Sequence, residues 1–254
     1  MDHISMEMLS FLLGAGFVAA FIDSVVGGGG LISMPALLMT GLPPNIVLGT
    51  NKLASICCSS TSSISFLRSG KMDLGLVKYL FPLSLIGSIL GAYTVRLIPP
   101  EFLKPLVVVM LVLVAIYTVF KKDWGDKSTY KGIDKRVGIL GGCAAFILGF
   151  YDGFFGPGAG SFLIFVFLML GFDFVVAAGN AKALNLASNL GAVATFLLAD
   201  SVNYVYGISM GIAMIIGAIV GSRFAISKGA AYVKPLFISV TTFLIGKQLW
   251  DVLH

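Results

Sequence analysis

Two stretches of the sequence decide how the chain is interpreted. Residues 23–52 read DSVVGGGGLISMPALLMTGLPPNIVLGTNK, and residues 152–182 read DGFFGPGAGSFLIFVFLMLGFDFVVAAGNAK. Each begins with an aspartate, continues through a glycine cluster and a short apolar run, and ends on a lysine three residues after a glycine. The aspartates are 129 positions apart (152 − 23) and the lysines 130 (182 − 52). The chain is therefore predicted to contain an internal repeat.

The repeat extends over most of the chain. At the offset of 130, Gly87 matches Gly217, Gly91 matches Gly221, and Lys104-Pro105-Leu106 matches Lys234-Pro235-Leu236. The boundary falls in residues 121–136, which hold six basic and three acidic residues. We predict a first transmembrane repeat over 1–120, a cytoplasmic loop over 121–136 and a second repeat over 137–254. Duplicated halves with glycine-interrupted segments are typical of secondary transporters.

The composition is that of a membrane protein. Of the 254 residues, 57% are apolar and 11% charged, and the mean hydropathy is +0.98, which excludes a soluble enzyme. The fold class predicted is an all-α polytopic protein of the cytoplasmic membrane with about eight spanning helices. Long apolar runs lie near 8–26, 46–67, 74–97, 102–120, 137–155, 175–198, 204–226 and 234–250. Two shorter runs, 31–41 and 160–170, follow the glycine clusters and are predicted to be half-helices or re-entrant segments.

Loop charges indicate how the halves are oriented. Residues 68–78 carry Arg68, Lys71 and Lys78, whereas the matching residues 198–208 carry only Asp200. Because cytoplasmic loops are enriched in Lys and Arg, the first loop is predicted to be cytoplasmic and the second external. This favours inverted repeats. Re-entrant short segments would instead leave four spans per half and parallel repeats.

Four ionisable residues remain within or beside apolar runs: Asp23, Lys52, Asp152 and Lys182. A charge at mid-membrane costs roughly 2.5–3.5 kcal/mol, so these residues indicate a polar cavity or compensating contacts. One interpretation is structural, with snorkelling lysines or with Asp23 paired to Lys52 and Asp152 to Lys182. The functional interpretation makes the lysines ligands of an anion and the aspartates proton carriers that couple transport.

The residues around the lysines favour the functional interpretation. The side chains at 185 and 189 follow Lys182 at helical spacing, so an ammonium and amide donors share one helix face. Half-helices that begin at the glycine clusters would direct free N–H groups towards the same place. The alternative for the glycines is close helix packing, the interpretation we also give to the pairs 87/91 and 217/221. The predicted substrate-binding residues are Gly28, Gly29, Gly30, Thr50, Asn51, Lys52, Gly158, Gly160, Asn180, Lys182, Asn185 and Asn189.

Other function classes find no support in the sequence. The histidines, His3 and His254, stand at the two ends, and no cysteine pair has metal-ligand spacing, so neither a metal nor another cofactor is predicted. The intramembrane residues contain no nucleophile–base–acid set, which argues against an enzyme. The net charge of +5 is explained by the basic loop, not by nucleic-acid binding.

Taken together, these motifs resemble the sulfite exporter TauE/SafE family of membrane transporters. The resemblance rests on Asp23, the glycines 27–30, the Gly-Thr-Asn-Lys of 49–52, the Gly-Pro-Gly-Ala-Gly of 156–160 and Lys182, and it covers essentially the whole chain. It implies transport of a sulfur-containing anion such as sulfite, thiosulfate or an organosulfonate. No nucleotide-binding motif is present, so an ion or substrate gradient would drive transport. A passive anion channel is the alternative. The expected partners are the small anion and the lipid bilayer, and a homo-oligomer is compatible with the sequence.

Overall fold

A computed structural model describes residues 6–99, 128–130 and 132–228. The regular structure in these ranges is entirely helical, which confirms the predicted class for this part of the chain. The first half contributes α1 (Met6–Val26), α2 (Gly30–Leu38), α3 (Pro44–Arg68) and α4 (Leu74–Arg96), and the second contributes α5 (Lys135–Phe154), α6 (Ala159–Met169), α7 (Phe174–Leu197) and α8 (Tyr204–Lys228). The predicted spans 102–120 and 234–250, and most of the 121–136 loop, lie outside the described residues.

Local sequence explains where several helices begin. Aspartate side chains cap three of them: Asp73 accepts from Leu76 N at the start of α4, Asp134 caps α5, and Asp173 caps α7. Pro44 occupies the first turn of α3, where its missing N–H costs nothing. The predicted short segments form as α2 and α6, of 9 and 11 residues. Both are too short to cross a bilayer as regular helices.

The helices are arranged in a shell around two inner helices. By length and composition, α1, α4, residues 137–154 of α5, and α8 qualify as membrane spans. These helices expose apolar side chains such as Phe11, Ile86, Ile147 and Ile212. The inner helices α3 and α7 are 25 and 24 residues long, about 37 Å, but are more polar. Their polar residues are largely buried, as expected when the apolar helices face lipid.

Glycines bring the two halves into close contact. Helix α4 packs along α5, and α1 packs along α8. A Cβ at Gly91 would collide with the carbonyl oxygen of Phe150, and one at Gly221 would lie 2.5 Å from that of Phe21. The two phenylalanines are 129 positions apart (150 − 21), so the two contacts are equivalent and reciprocal. The close-packing interpretation of the 87/91 and 217/221 pairs is therefore confirmed.

Candidate functional site

The two glycine-broken segments cross each other with their backbones in contact. Gly27, with φ of +82°, lies against Gly160, and a Cβ at Gly160 would be 2.8 Å from Gly27 Cα. The Ser161 backbone N–H donates to Gly27 O (3.1 Å), and its hydroxyl donates to Val26 O (2.9 Å). Glycines are required at this crossing because the two backbones touch. The packing interpretation of the clusters therefore holds for these two residues.

The crossing brings all four intramembrane charges into two ion pairs. Lys52 Nζ lies 2.5 Å from Asp152 Oδ1, and Lys182 Nζ lies 2.7 Å from Asp23 Oδ2. Each lysine therefore pairs with the aspartate of the other half. The expected pairing within a half, Asp23 with Lys52 and Asp152 with Lys182, is wrong. The reason is the crossing itself, which carries the end of α1 towards α7 and the end of α5 towards α3.

Asp152 is held in a dense polar network. Besides the Lys52 ammonium, it accepts hydrogen bonds from Asn185 Nδ2 (2.9 Å) and from the Ser188 hydroxyl. Asn189 accepts from Lys52 Nζ at 3.3 Å. Ordered polar partners of this kind are what allow a carboxylate and an ammonium to be buried together.

A small cavity lies beneath the crossing. The space inside it is about 30 Å³, which is room for one or two waters. Most of the predicted site residues line it: Asp23, Gly29, Gly30, Asn51, Lys52, Asp152, Gly158, Gly160, Asn185 and Asn189. The structure thus brings together residues from α1, α3, α5, α7 and both broken segments around one polar space.

Four predicted residues do not line this cavity. Lys182 is fully buried behind its partner Asp23, and Gly28 lies outside the cavity wall. The Thr50 hydroxyl accepts from the backbone N–H of Asn203 (2.9 Å), and Asn180 Oδ1 accepts from that of Asp73 (2.8 Å). These two bonds are again equivalent: the two acceptor residues are 130 positions apart (180 − 50), and so are the two donor residues (203 − 73). Thr50 and Asn180 anchor the loop of the opposite half.

Two serines complete the cavity wall: helical spacing predicts Ser55 on a polar path, whereas sequence reasoning missed Ser33. Ser33 of α2 and Ser55 of α3 both line it. Ser55 lies one turn beyond Asn51, a spacing that places it on the same helix face. Ser33 carries no such signal, because it is a single serine in an apolar run. Within the described ranges, no group of three His, Cys, Asp or Glu residues could hold a metal ion.

Comparison with known proteins gives consistent results. A family model described as sulfite exporter TauE/SafE matches residues 12–247. A probable membrane transporter protein of Sinorhizobium is 38% identical over 100% of this chain and 97% of its own length. Probable membrane transporter proteins of Haemophilus influenzae and Escherichia coli K12 are each 34% identical over 98% of this chain, covering 97% and 92% of their own lengths. No solved structure gives a significant match.

Proposed function

The chain is a membrane transporter that belongs to the sulfite exporter TauE/SafE family, and on that premise we propose that it is a secondary transporter for a small sulfur-containing anion in the cytoplasmic membrane. The substrate class is that of sulfite, thiosulfate or an organosulfonate. An ion gradient drives it, with Asp23 and Asp152 as the candidate proton carriers.

The observation that carries this proposal is the polar cavity at the crossing of the broken segments. It presents the Lys52 ammonium together with the amides of Asn51, Asn185 and Asn189. An ammonium and neutral hydrogen-bond donors can replace the water that an oxyanion loses on entering. Lys52 lines the cavity and can contact an anion there directly. Lys182 does not line the cavity, and its ammonium contacts Asp23.

The architecture proposed for this function is a pair of inverted repeats with five passes or half-passes each. The short helices α2 and α6 make the half-passes, and α3 and α7 cross the membrane as well as the four apolar helices. Support comes from contacts between the halves that occur twice at equivalent positions, 129 or 130 residues apart in the sequence. These are the two ion pairs, the two glycine contacts and the two loop anchors. The opposite charge of the loops at 68–78 and 198–208 fits the same arrangement. Rocking of one half against the other would then expose the shared cavity to each face in turn.

The size of the cavity bears on how transport occurs. At about 30 Å³ it is too small for an oxyanion with its hydration shell. Before it binds, the substrate must therefore shed water or the halves must move apart. A transporter that alternates between states has this requirement.

Counterflow in proteoliposomes tests the proposal. Purified protein is reconstituted, the vesicles are loaded with one unlabelled anion, and uptake of the labelled anion is followed for sulfite, thiosulfate, methanesulfonate, acetate and phosphate. We expect saturable counterflow with at least one sulfur oxyanion and none with acetate. Non-saturating flux that shows no counterflow would indicate a passive channel. Absence of flux for every sulfur oxyanion would overturn the substrate class.

A further inference from the structure

The two ion pairs at the crossing are not equivalent. The side chain of Asp152 is 3% exposed, and its oxygens accept from Lys52, Asn185 and Ser188. The side chain of Asp23 is 16% exposed. Beyond Lys182, its partners are weak or distant: the Cys58 thiol at 3.4 Å and the Gly29 backbone N–H at 3.3 Å. Asp152 is therefore the buried counter-ion of Lys52. Asp23 is the carboxylate that water in the cavity can reach.

The charges of the site sum to zero when all four groups are ionised. The titratable and charged groups that face Asp23 are Lys182 of α7, Cys58 of α3 and, across the cavity, Lys52 and Asp152. A proton added to an Asp23 oxygen cancels that carboxylate and leaves the site with one net positive charge. One monovalent anion restores neutrality, which a low-dielectric site favours. A dianion would leave the site negative unless a second proton entered.

The Ser33 hydroxyl, a buried donor on the cavity wall without a partner among the described residues, marks where an anion can bind. Ser33 Oγ and Asn51 Oδ1 have no hydrogen-bond partner within the described structure, although both residues are almost fully buried and line the cavity. Unsatisfied buried polar atoms are rare, and each calls for a missing partner. For the Ser33 hydroxyl that partner is an acceptor such as an anion, and for Asn51 Oδ1 it is a donor such as water. Both residues belong to the first half. Their counterparts in the second half are apolar: Phe162 or Leu163 for the serine, and Ala181 for the asparagine.

We propose that this cavity takes one monovalent oxyanion together with one proton, with the proton on Asp23. The anion accepts from the Ser33 hydroxyl, the Asn51 amide N–H and the Lys52 ammonium. The inference rests on the proposed transport function and deepens it. The proton comes from solvent, breaks the ion pair between Asp23 and Lys182, and leaves with the anion. Each cycle therefore moves no net charge. Of the two candidate proton carriers, Asp23 takes the proton, whereas Asp152 positions Lys52.

Proton stoichiometry provides a test that needs no variant. Sulfite, thiosulfate and methanesulfonate are first screened by counterflow. Binding of methanesulfonate, which remains a monoanion, is then measured calorimetrically in buffers of different ionisation enthalpy. We expect uptake of about one proton per anion. By linkage, wherever one proton is taken up, the dissociation constant rises about tenfold per pH unit. In vesicles, an inward proton gradient drives accumulation, and an imposed membrane potential does not.

Single substitutions test Asp23 as the proton acceptor and Ser33 as a ligand of the anion. Asp23→Asn should bind methanesulfonate without proton uptake and with a flat pH profile, whereas Asp23→Glu restores the uptake. Ser33→Ala should weaken binding about three- to tenfold. The matched control is Ser63→Ala. The Ser63 hydroxyl is also buried and has no hydrogen-bond partner in the described structure, but it does not line the cavity. This substitution should leave the affinity unchanged.

The outcomes separate this inference from the transport function. Counterflow of thiosulfate with none of methanesulfonate or hydrogen sulfite would overturn the monoanion inference and leave an oxyanion transporter. Potential-driven accumulation, binding without proton uptake in the wild type, or an unchanged pH profile in Asp23→Asn would each overturn it as well. Absence of counterflow for all three anions would instead reject the proposed sulfur-anion substrate class.

Discussion

Two fully buried lysines are tolerated in this membrane protein because each is paired across the two halves. A charge at the bilayer centre without a partner is costly, and its carboxylate partner would be equally costly alone. Lys52 and Asp152, at 2.5 Å, compensate one another, and amide and hydroxyl groups occupy the remaining carboxylate lone pairs. The pairs thus act on stability and on function at the same time, since they join the halves and hold Lys52 at the cavity wall.

The pairing predicts how lysine variants affect stability. Lys52→Met should destabilise the protein by about 3–5 kcal/mol, because Asp152 is left as a buried charge without its partner. Adding Asp152→Asn should recover much of that loss. The measurement is thermal unfolding of the purified protein in detergent.

The control for this experiment is the other double variant. Lys52→Met combined with Asp23→Asn removes one charge from each ion pair and so leaves both Asp152 and Lys182 uncompensated. It should be less stable than Lys52→Met alone. Recovery of stability in this variant, and not with Asp152→Asn, would contradict the observed pairing.

At the scale of the helices, small residues determine which elements touch. In a membrane, helix association depends on close packing, and glycine lets two backbones approach. Glycines allow such a close backbone approach in two places, between α4 and α5 and between α1 and α8. Because each contact joins the two halves, these glycines fix how the repeats dock.

Gly91→Ala should therefore destabilise the protein by about 1–3 kcal/mol, since overpacking forces α4 away from α5. The new Cβ would meet the carbonyl oxygen of Phe150 and, at 2.7 Å, the backbone N of Phe154. Gly14→Ala is the matched control, because nothing lies within 4 Å of its added Cβ. Equal melting temperatures for the two variants would refute the packing role.

The loop anchors can be distinguished from substrate ligands by experiment. Thr50→Val removes the acceptor of the Asn203 backbone N–H and should cost about 1–3 kcal/mol of stability. Thr50→Ser keeps the hydroxyl and should be close to wild type. Substrate affinity of the folded Thr50→Val protein should be unchanged. A large loss of affinity without loss of stability would restore the role that the sequence predicted for Thr50.

At the scale of the whole molecule, the sequence predicted the helices and the central residues better than their pairing. Hydropathy and glycine clusters located α1 to α8 because both signals are local. The partners of Asp23 and Lys52 depend on how the halves dock, and a repeat offset carries no information about docking. Ser33 was missed for the opposite reason, since one hydroxyl in an apolar run looks like an ordinary packing residue.

Two equivalent loop positions can decide how the two halves are oriented in the membrane. Ser69 follows α3 and Asp200 follows α7, and both residues are exposed. They are 131 positions apart, one more than the repeat offset of 130, so they occupy equivalent loops. Single cysteines are placed at each site after Cys57, Cys58 and Cys143 are replaced by alanine. A membrane-impermeant maleimide is then added to intact cells or to inverted vesicles.

Inverted repeats should place the two cysteines on opposite faces, with Ser69→Cys labelled from the cytoplasm, as the basic residues near it require, and Asp200→Cys labelled only from outside. Ser128→Cys, in the loop predicted to be cytoplasmic, is the reference for the inner face. Parallel repeats would place both loops on one face. Labelling of Asp200→Cys from the cytoplasm, with Ser128→Cys as expected, would therefore reject the inverted arrangement and the alternating-access mechanism that depends on it.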